Sequence, residues 1–425
     1  MPAKSIRSIA IIDPLGDTGI GSYVFELAEG LAANQLQVDV YTNDRAMITR
    51  YPLSRHHRVL PVLGSALLRQ REVLKRVLRS EAVLPQDAKA SRQESPRAEA
   101  KHAPETGPSP SGFRSWFLAW ELAVHLRRQN YDLVWTQWPE PVYGARFHWA
   151  CRFLGLKVAH TVHNILPHEE AAGDKAICEA IYQNSEWLLV HSQETRKEMM
   201  ELFPECGSKV IVARHGLYTM YPQPKESKQE LRRKLGIPQD KPAMLFFGGI
   251  RPYKNIDAAL SAMADDRCKD TVLVVAGRER GYDDLVPGER LGRTRRIAGQ
   301  LGITNRVILI ERPSDHQQTG ELLAATDILL LPYRKSYGSG LLLLGMTFGK
   351  HIVATRTGGI EEYVTKYPRC TLLEGDGPAD VAAGIARALL EIPRQPPISS
   401  EAMNGLRWCE IMRDVLAALE GEGTV

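Results

Sequence analysis

The chain has 425 residues, of which 44% are hydrophobic and 24% are charged, and its formal net charge is +4. This length predicts two or more domains with full cores, and the composition is typical of a soluble globular protein. The small net charge and the scattered basic residues argue against a nucleic-acid partner. The six cysteines include no C-x-x-C pair, which argues against a zinc site.

The N-terminal sequence, MPAKSIRSIAIID, contains an apolar run that is long enough for a strand but too short for a signal peptide. No window holds 18 uninterrupted apolar residues, so we predict no membrane-spanning helix. We therefore expect a cytoplasmic protein with reduced cysteines. A peripheral position on the cytoplasmic membrane stays open.

Short apolar runs alternate with helical patterns, such as the amphipathic segment at 22–33, along the chain. The candidate strands of the first half are 8–12, 37–41, 133–136, 158–161, 187–191 and 210–213. Those of the second half are 243–247, 271–276, 306–310, 328–331, 352–355 and 371–373. Strand–helix alternation of this kind predicts parallel sheets with helices on both faces.

We therefore predict an α/β fold made of two Rossmann-like, doubly wound domains. The first spans residues 1–222 and the second 223–405, with a joint near 221–227, where YPQPKES is rich in proline and charge. The final helical segment, 406–425, follows the second domain. Ligands bind at the carboxyl ends of the strands in such sheets, so a cleft between the two sheets is the predicted site.

Two segments of the first domain depart from this pattern. Residues 85–112 contain five prolines and almost no large apolar side chain, which predicts a mobile insertion. Residues 66–80 form a basic amphipathic pattern that alternates arginine and lysine with an apolar stripe. A helix of this kind either lies on an anionic membrane or packs as an ordinary surface helix on the sheet.

Glycines follow the first predicted strand in the sequence DPLGDTGIGS. Gly19 and Gly21 would let the backbone approach a ligand closely, and a tight strand-to-helix turn explains them equally well. The spacing differs from G-x-G-x-x-G, so it predicts neither a dinucleotide fingerprint nor a dehydrogenase.

Histidines cluster in HTVHNILPHE, residues 160–169, after a strand of the first domain. His163 stands at the end of the strand, where its imidazole could hydrogen-bond a substrate. A metal site made of His163, His168 and Glu169 is the alternative, although the spacing and Pro167 do not suit a helical zinc site. For His160 and His168 we favour capping and loop hydrogen bonds.

The sequence GGIRPYKN, residues 248–255, follows a strand of the second domain and combines glycines with two cations. Gly249 would allow close approach, while Arg251 and Lys254 would stabilise the negative charge of a diphosphate leaving group without a metal. A salt bridge at a helix start is the structural alternative. No convincing D-x-D motif accompanies this segment.

A second anion seat is predicted at the turn that precedes the apolar helix GLLLLGMTFG. The amides of Ser339, Gly340 and Leu341 would face phosphates at the positive end of the helix dipole. Glu362, after the turn Gly358-Gly359, would either reach a ribose hydroxyl or cap the next helix.

With these residues in place, the chain resembles the GT-B glycosyltransferases, within them the family 4-like branch, over nearly its whole length except 66–115. TGIGSYVFELAEGLA is similar to the glycine-rich loop with which that family opens. The resemblance implies that His163 contacts the donor sugar and that Arg251 and Lys254 bind the diphosphate. It also implies that LRWCEIMRDVLAAL is a helix that crosses back to the N-terminal domain.

One departure from the family concerns its usual pair of glutamates, separated by seven residues. These positions are Ser336 and Leu344 here, and neither is acidic. The segment PYRKSYGSG, with HNILPHE and ARHGLY, resembles a sub-branch of bacterial polysaccharide-assembly transferases. A retaining mechanism follows from the broad resemblance only, whereas an inverting one needs a general base, for which Glu169 and Asp13 are the candidates.

The resemblance implies a metal-independent hexosyltransferase that moves a sugar from a nucleotide-diphosphate donor to a hydroxyl of a growing glycan or lipid-linked acceptor. No cofactor beyond this co-substrate is expected. The N-terminal domain would hold the acceptor, with contact to the inner membrane face through 66–80, and the C-terminal domain would hold the donor. Two alternatives stay open: a non-catalytic glycosyltransferase-like partner subunit and a nucleotide-sugar epimerase.

Overall fold

The computed structural model describes residues 5–14, 19–42, 57–60, 112–137, 144–168, 171–311 and 315–421. Its contacts divide the chain into two compact units. The first comprises Met1–Val190, Arg196–Ala213 and Trp408–Val425, and the second comprises His191–Thr195 and Arg214–Arg407. The chain enters the second unit briefly at His191–Thr195 and again at Arg214, which is N-terminal to the segment 221–227 in which the sequence predicted the joint.

The first unit contains a seven-stranded sheet in which all neighbouring strands are parallel, with the order β3-β2-β1-β4-β5-β6-β7. Its strands are β1 Ser8–Asp13, β2 Gln37–Thr42, β3 His57–Leu60, β4 Leu133–Thr136, β5 Val158–Thr161, β6 Trp187–Val190 and β7 Val210–Val212. The helices that alternate with them are α1 Gly19–Ala33, α2 Gly112–Gln129, α3 Gly144–Phe153, α4 Asp174–Gln183 and α5 Gln193–Leu202, and the first three residues of α5 belong to the second unit. All six strands predicted for this half are confirmed, and β3 was not predicted.

The second unit contains a six-stranded parallel sheet with the order β10-β9-β8-β11-β12-β13. Its strands are β8 Ala243–Ile250, β9 Val272–Glu279, β10 Val307–Glu311, β11 Ile328–Leu331, β12 His351–Ala354 and β13 Cys370–Leu372. Its helices are α6 Lys228–Leu235, α7 Ile256–Met263, α8 Gly292–Gln300, α9 His316–Ala325, α10 Gly340–Thr347, α11 Ile360–Val364 and α12 Pro378–Glu391. The predicted α/β fold with two doubly wound sheets is confirmed.

The last helix, α13 (Trp408–Leu419), belongs to the first unit and packs against α1. Its buried side chains recur at helical spacing and include Trp408, Met412 and Val415. The Trp408 ring meets the Tyr23 ring edge-on, with 5.0 Å between centroids. Gly30 makes this packing possible, because a Cβ at that position would lie 2.8 Å from the Trp408 Cβ and 3.0 Å from its carbonyl carbon.

Several predicted features fall outside the part of the chain that the structure describes. The basic amphipathic segment at 66–80 is among them, as is the insertion at 85–112 apart from Gly112, which begins α2. Among the helices in the described ranges, none combines the length and hydrophobicity needed to cross a membrane.

Substitution Gly30→Ala is expected to lower the free energy of unfolding by about 1–3 kcal/mol, because the added methyl group must displace the backbone of α13. Gly299→Ala is the matched control, since no atom lies within 4 Å of a Cβ at that exposed position of α8. There the change should be neutral or stabilising by up to about 1 kcal/mol. Urea denaturation of both variants measures the difference, and equal effects would contradict close α1–α13 packing.

Candidate functional site

The strand order of the second unit reverses between β8 and β11: β9 and β10 follow on one side of β8, and β11, β12 and β13 follow on the other. Ligands of doubly wound sheets bind at the carboxyl ends of the strands beside such a reversal. Here β8 ends at Ile250 and continues through Arg251 into the short 3-10 turn Pro252–Lys254, while β11 ends at Leu331 two residues before Tyr333. The predicted cations therefore lie at the edge where a ligand is expected.

Lys254 has the most unusual environment at this edge. Its side chain is buried, and its Nζ lies 3.4 Å from the Phe247 carbonyl oxygen and 5.7 Å from the centroid of the Tyr333 ring. In the part of the chain that the structure describes, no carboxylate pairs with this ammonium. The backbone around it is fixed, because the Arg334 amide donates to the Tyr253 carbonyl at 2.8 Å.

Burial, and secondarily the charge of Arg251, lower the pKa of Lys254 from its ordinary 10.5 to about 8. The group is therefore mostly charged at neutral pH although it has lost most of its hydration. A desolvated cation without an anionic partner is stabilised by any anion that reaches it. The arrangement of Lys254 beside Arg251 is thus suited to binding an anion.

Two glycines let the ends of neighbouring strands approach this cation. Gly248 has a φ of +101°, and a Cβ there would lie 3.1 Å from Lys254 Nζ and 3.5 Å from Leu341 Cδ1. Its partner in register on β9, Gly277, has no room for a side chain, because a Cβ would lie 1.9 Å from the Gly248 oxygen. Gly249 is exposed, with open space at its Cβ position. Gly248 therefore stands where the lysine turn meets the start of α10.

Helix α10 presents its N-terminus at the same edge. Ser339 is the N-cap residue, and its hydroxyl accepts a hydrogen bond from the Leu342 amide at 3.2 Å and also bonds to Tyr333. Helix geometry leaves the amides of Gly340 and Leu341 without intrahelical acceptors. These amides and the positive end of the helix dipole add to the attraction of the nearby ammonium for an anion.

Three aromatic residues that the sequence analysis did not assign to the site surround the start of α10. A Cβ at Gly340 would lie 2.6 Å from the Tyr218 hydroxyl and 3.5 Å from His215 Nε2, and one at Gly338 would lie 3.5 Å from the His191 Cβ. Burial, and then the proximity of His191, lower the pKa of His215 to about 3, so its imidazole is neutral at physiological pH. The segment ARHGLY attracted notice in the sequence, but no local pattern places it beside a helix so distant along the chain.

Glu362 lies in the first turn of α11, after Gly358-Gly359, and both of its carboxylate oxygens accept hydrogen bonds. They accept hydrogen bonds from the backbone N–H groups of Gln193 at 3.0 Å and Glu194 at 2.9 Å, at the start of α5. The Glu194 carboxylate in turn accepts from the amides of Gly358 at 3.1 Å and Gly359 at 2.6 Å. The ribose contact of Glu362 stays a prediction, and here its carboxylate caps the N-terminus of α5.

The two positions at which the resemblance expected an acidic pair, Ser336 and Leu344, are both buried. Leu344 belongs to the hydrophobic core of the second unit. The Ser336 hydroxyl donates to the Gly338 carbonyl at 2.8 Å and stabilises the turn before α10. Neither position carries a carboxylate, so the acidic pair that the resemblance implies is absent from this turn and helix.

In the first unit the strand order reverses between β1 and β4, and polar side chains occupy the ends of both strands. β1 ends in the buried Asp13. Gln137 follows β4, and its backbone amide donates to the Ile12 carbonyl at 3.1 Å. The Gln137 side chain is fully buried, and its Nε2 has no hydrogen-bond partner among the described residues.

His163 is held beside this reversal by two contacts. Its Nε2 lies 3.2 Å from the Gln137 Oε1, and its ring meets the Tyr23 ring edge-on with 4.9 Å between centroids. Because an amide oxygen only accepts hydrogen bonds, the Nε2 of His163 carries the proton. The imidazole is half-buried and held in one orientation, as a group that contacts a substrate should be.

The other histidines of HTVHNILPHE have different surroundings. His160 is buried within β5, where its Nδ1 lies 2.8 Å from the Thr136 hydroxyl, which also lies 3.0 Å from His148 Nε2. Burial, and then the proximity of His148, hold the pKa of His160 well below its usual range. This network stabilises the interior. Glu169 lies outside the described residues, so the metal site that would include it stays a prediction.

Gly19 and Gly21 begin α1, directly after residues 15–18, which are not described. Gly19 is exposed, and no atom lies within 4 Å of its Cβ position. Gly21 is buried against the unit's interior. The described residues therefore leave open space beside Gly19 at the start of α1.

Comparison with known proteins gives two family matches that together cover most of the chain. Residues 227–402 match the sequence model of the family described as Glycosyl transferases group 1, and residues 18–219 match that of Glycosyltransferase Family 4. A D-inositol 3-phosphate glycosyltransferase from Thermomonospora curvata is 26% identical over 96% of this chain and 92% of that protein. Other curated relatives with the same name are matched over only 57% or 58% of their own length.

Solved structures of similar fold cover nearly the whole chain. A sucrose-phosphate synthase from Thermosynechococcus elongatus has a TM-score of 0.66 and 17% identity, over 98% of both chains. Anabaena HepE, solved in complex with UDP and glucose, has a TM-score of 0.64 and 14% identity, over 98% of this chain and 100% of that one. At such low identities these similarities show the fold alone.

The lowered pKa of Lys254 predicts a stability that depends on pH. Between pH 8 and 10.5 the unfolded chain binds more protons at this residue than the folded protein, so the free energy of unfolding rises with pH across that window. Substitution Lys254→Met removes the cost of burying the charge. The variant should therefore be more stable than the wild type at pH 7, and the difference should shrink as the pH rises from 8 to 10.5.

Urea denaturation at a series of pH values measures this difference. Lys350→Met is the matched control, because burial also lowers the pKa of Lys350 to about 8 while its Nζ donates to the Thr326 carbonyl at 2.9 Å. For both variants, the difference from the wild type in the free energy of unfolding should shrink between pH 8 and 10.5. A Lys254→Met variant whose stability relative to wild type is constant from pH 7 to 10 would show that the ammonium is hydrated.

Proposed function

This chain belongs to the GT-B glycosyltransferases of the family 4 type, and on that premise we propose that it transfers a hexose from a nucleotide-diphosphate donor to an acceptor hydroxyl. We propose that the second unit binds the diphosphate and that His163 of the first unit hydrogen-bonds a sugar. One observation carries this proposal: a buried ammonium, that of Lys254, stands without a carboxylate partner near the N-terminal amides of α10.

The charge balance of the reaction explains why such a group would be useful. As the bond between the sugar and the diphosphate breaks, negative charge grows on the leaving group. Lys254 and Arg251 meet that charge with fixed cations, and the amides of Gly340 and Leu341 add hydrogen bonds. These groups provide the stabilisation that a divalent metal provides in other transferases, so we propose a metal-independent mechanism.

Binding of the donor also changes the free energy of Lys254 itself. A diphosphate beside the ammonium favours its charged form and raises its pKa again. The cost of burying the charge in the free protein is thereby offset when the donor is bound. A site of this kind should prefer the doubly charged diphosphate over a neutral sugar, in keeping with the UDP bound by Anabaena HepE.

For the sugar, we propose that His163 donates or accepts a hydrogen bond at a hydroxyl close to the reacting carbon. The contact between its Nε2 and the Gln137 Oε1, at 3.2 Å, fixes the orientation of the imidazole. The buried amide nitrogen of Gln137 is a second donor at this place. The acceptor is proposed to be a glycan or a lipid-linked saccharide of bacterial polysaccharide assembly, reached at the cytoplasmic membrane.

A second candidate function is a nucleotide-binding partner subunit that does not transfer sugar. One observation favours it: neither Ser336 nor Leu344 supplies a carboxylate, and Glu362 is bonded to α5. The two functions differ in a single measurement, which is the release of nucleoside diphosphate from a nucleotide-sugar. Transfer or slow hydrolysis of the donor supports the transferase, whereas tight binding without any release supports the subunit.

The experiment for donor binding measures thermal stabilisation of the wild type by UDP-, GDP- and ADP-sugars. At least one of these should raise the melting temperature, and Lys254→Met should reduce the affinity for that donor by at least tenfold, about 1.4 kcal/mol, through loss of a charge-assisted hydrogen bond. Lys350→Met, which removes a similar charge from the start of β12, should bind the donor like the wild type. Equal affinities for all three proteins would refute the role of Lys254.

For the sugar side, Gln137→Leu should lower kcat by roughly tenfold with little change in the KM for the donor, because His163 loses the acceptor that fixes its tautomer. Gln137→Glu retains an acceptor oxygen and should recover much of the activity. Steady-state release of nucleoside diphosphate provides both constants. If Gln137→Leu turned over at the wild-type rate, His163 would not depend on this contact.

A further inference from the structure

Exposed aromatic side chains are concentrated on one face of the first unit. Among the described residues, seven large hydrophobic side chains are exposed, and four of these lie on the neighbouring helices α2 and α3. They are Trp116, Phe117, Trp149 and Phe153, with exposed fractions of 40%, 38%, 42% and 67%. A cluster on two helices is not the pattern of scattered surface residues that soluble proteins tolerate.

The rings of this cluster contact one another. Trp116 meets Trp149 edge-on at 5.1 Å between centroids, and Trp149 stacks on Phe153 at 5.3 Å with an interplanar angle of 20°. Trp120 lies 5.6 Å from Phe153. These four residues, together with the adjacent Phe117, form a continuous surface that we call the aromatic patch.

Within the described residues, the packing of this unit does not explain why these aromatic side chains are exposed. The opposite face of α2 is already buried through Ala119, Ala123 and Leu126, and that of α3 through Phe147 and Ala150. These side chains belong to the hydrophobic core against the sheet. Among the described residues, the aromatic patch is therefore additional apolar surface on helices whose other face is already buried, and a surface of this kind is typical of a site that binds a partner.

The charge of the same helices identifies the chemistry of that partner. In sequence, α2 and α3 carry five arginines (114, 127, 128, 146 and 152) and one acidic residue, Glu121, which gives 5 − 1 = +4. Their 28 residues thus carry a net charge equal to that of the whole chain. The Arg146 guanidinium lies 5.8 Å from the centroid of the Trp116 ring, so cation and indole share one surface.

We propose that the aromatic patch docks on the surface of a bilayer that contains anionic phospholipids. Indole rings are most stable at the level of the headgroups, because they combine an apolar body with one polar N–H. The guanidinium of Arg146, beside Trp116, is suited to pair with a lipid phosphate, and the net positive charge of the two helices matches a continuous negative surface. A protein partner would need an acidic groove whose shape matches this surface. An anionic bilayer supplies the negative charge without needing a matching shape.

The position of the aromatic patch suits the proposed acceptor. α3 follows the parallel strand β4, so its N-terminal turns, with Arg146 and Trp149, begin at the carboxyl edge where Gln137 lies. A bilayer at this face would present a lipid-linked saccharide to the edge that holds His163. This consequence rests on the proposed function, whereas the docking itself does not.

Co-sedimentation of the full chain with vesicles tests the proposal. In 0.1 M NaCl the wild type should bind vesicles of phosphatidylcholine and phosphatidylglycerol (7:3) at least tenfold more tightly than pure phosphatidylcholine, and 0.5 M NaCl should weaken that binding. Substitutions Trp149→Ser and Phe153→Ser together should weaken it at least tenfold. Leu390→Ser, at a 71% exposed position of α12 in the second unit, is the matched control and should change nothing.

A second variant, Arg146→Gln, changes the charge while leaving the apolar side chains in place, and should weaken binding to the anionic vesicles several-fold. Melting temperatures verify that each variant is folded, and donor-induced stabilisation, which the aromatic patch does not contribute to, should stay at the wild-type level in all of them. These two controls distinguish a failure of the docking proposal from a failure of the proposed function.

The docking proposal would be overturned if the wild-type protein did not bind anionic vesicles, or if the variants bound them as tightly as the wild type. Loss of self-association in the Trp149/Phe153 variant without any vesicle binding would assign the surface to a second copy of the chain instead.

Discussion

The burial of one ammonium group without a carboxylate partner is the constraint on which the second unit depends. Lys254 is desolvated at the point where the strand order reverses, and its close neighbours in the described structure are a carbonyl oxygen and an aromatic face. Binding of an anion would offset the cost of burying this charge. The same packing requires glycine at two positions. A side chain at Gly248 would crowd the ammonium of Lys254, and one at Gly277 would clash with the backbone of Gly248.

Elsewhere in the second unit, backbone segments are held by hydrogen bonds to carboxylate and phenolic side chains. Tyr363 accepts from the His215 amide at 2.8 Å and donates to the His191 carbonyl at 2.6 Å. The Glu362 carboxylate accepts hydrogen bonds from the amides at the start of α5, and the Glu194 carboxylate accepts from the amides of Gly358 and Gly359. Helix-terminal amides and glycine turns of the second unit are therefore fixed before any ligand arrives, which lowers the entropy cost of binding.

The first unit follows the same architectural rule with different chemistry. The polar residues Asp13 and Gln137 lie at its strand reversal, where the second unit has a cation, and the contact between Gln137 and His163 fixes the orientation of the imidazole. The aromatic patch and Arg146 give this unit an exposed apolar and basic surface. Our two proposals together assign anion binding to the second unit, and sugar orientation and attachment to a bilayer to the first.

The sequence by itself determined the strands and helices, because alternating apolar runs of strand length define a parallel sheet wherever they are buried. It also located the Lys254 turn and the Ser339 cap, since glycines next to cations or helix starts are local patterns. It missed β3, whose four residues HRVL carry too little pattern, and it did not assign His191, His215 and Tyr218 to the start of α10. The tertiary structure alone decided that Lys254 is desolvated and that Glu362 caps α5, because burial and hydrogen-bond partners depend on segments that are distant along the chain and meet only when the sheet is assembled.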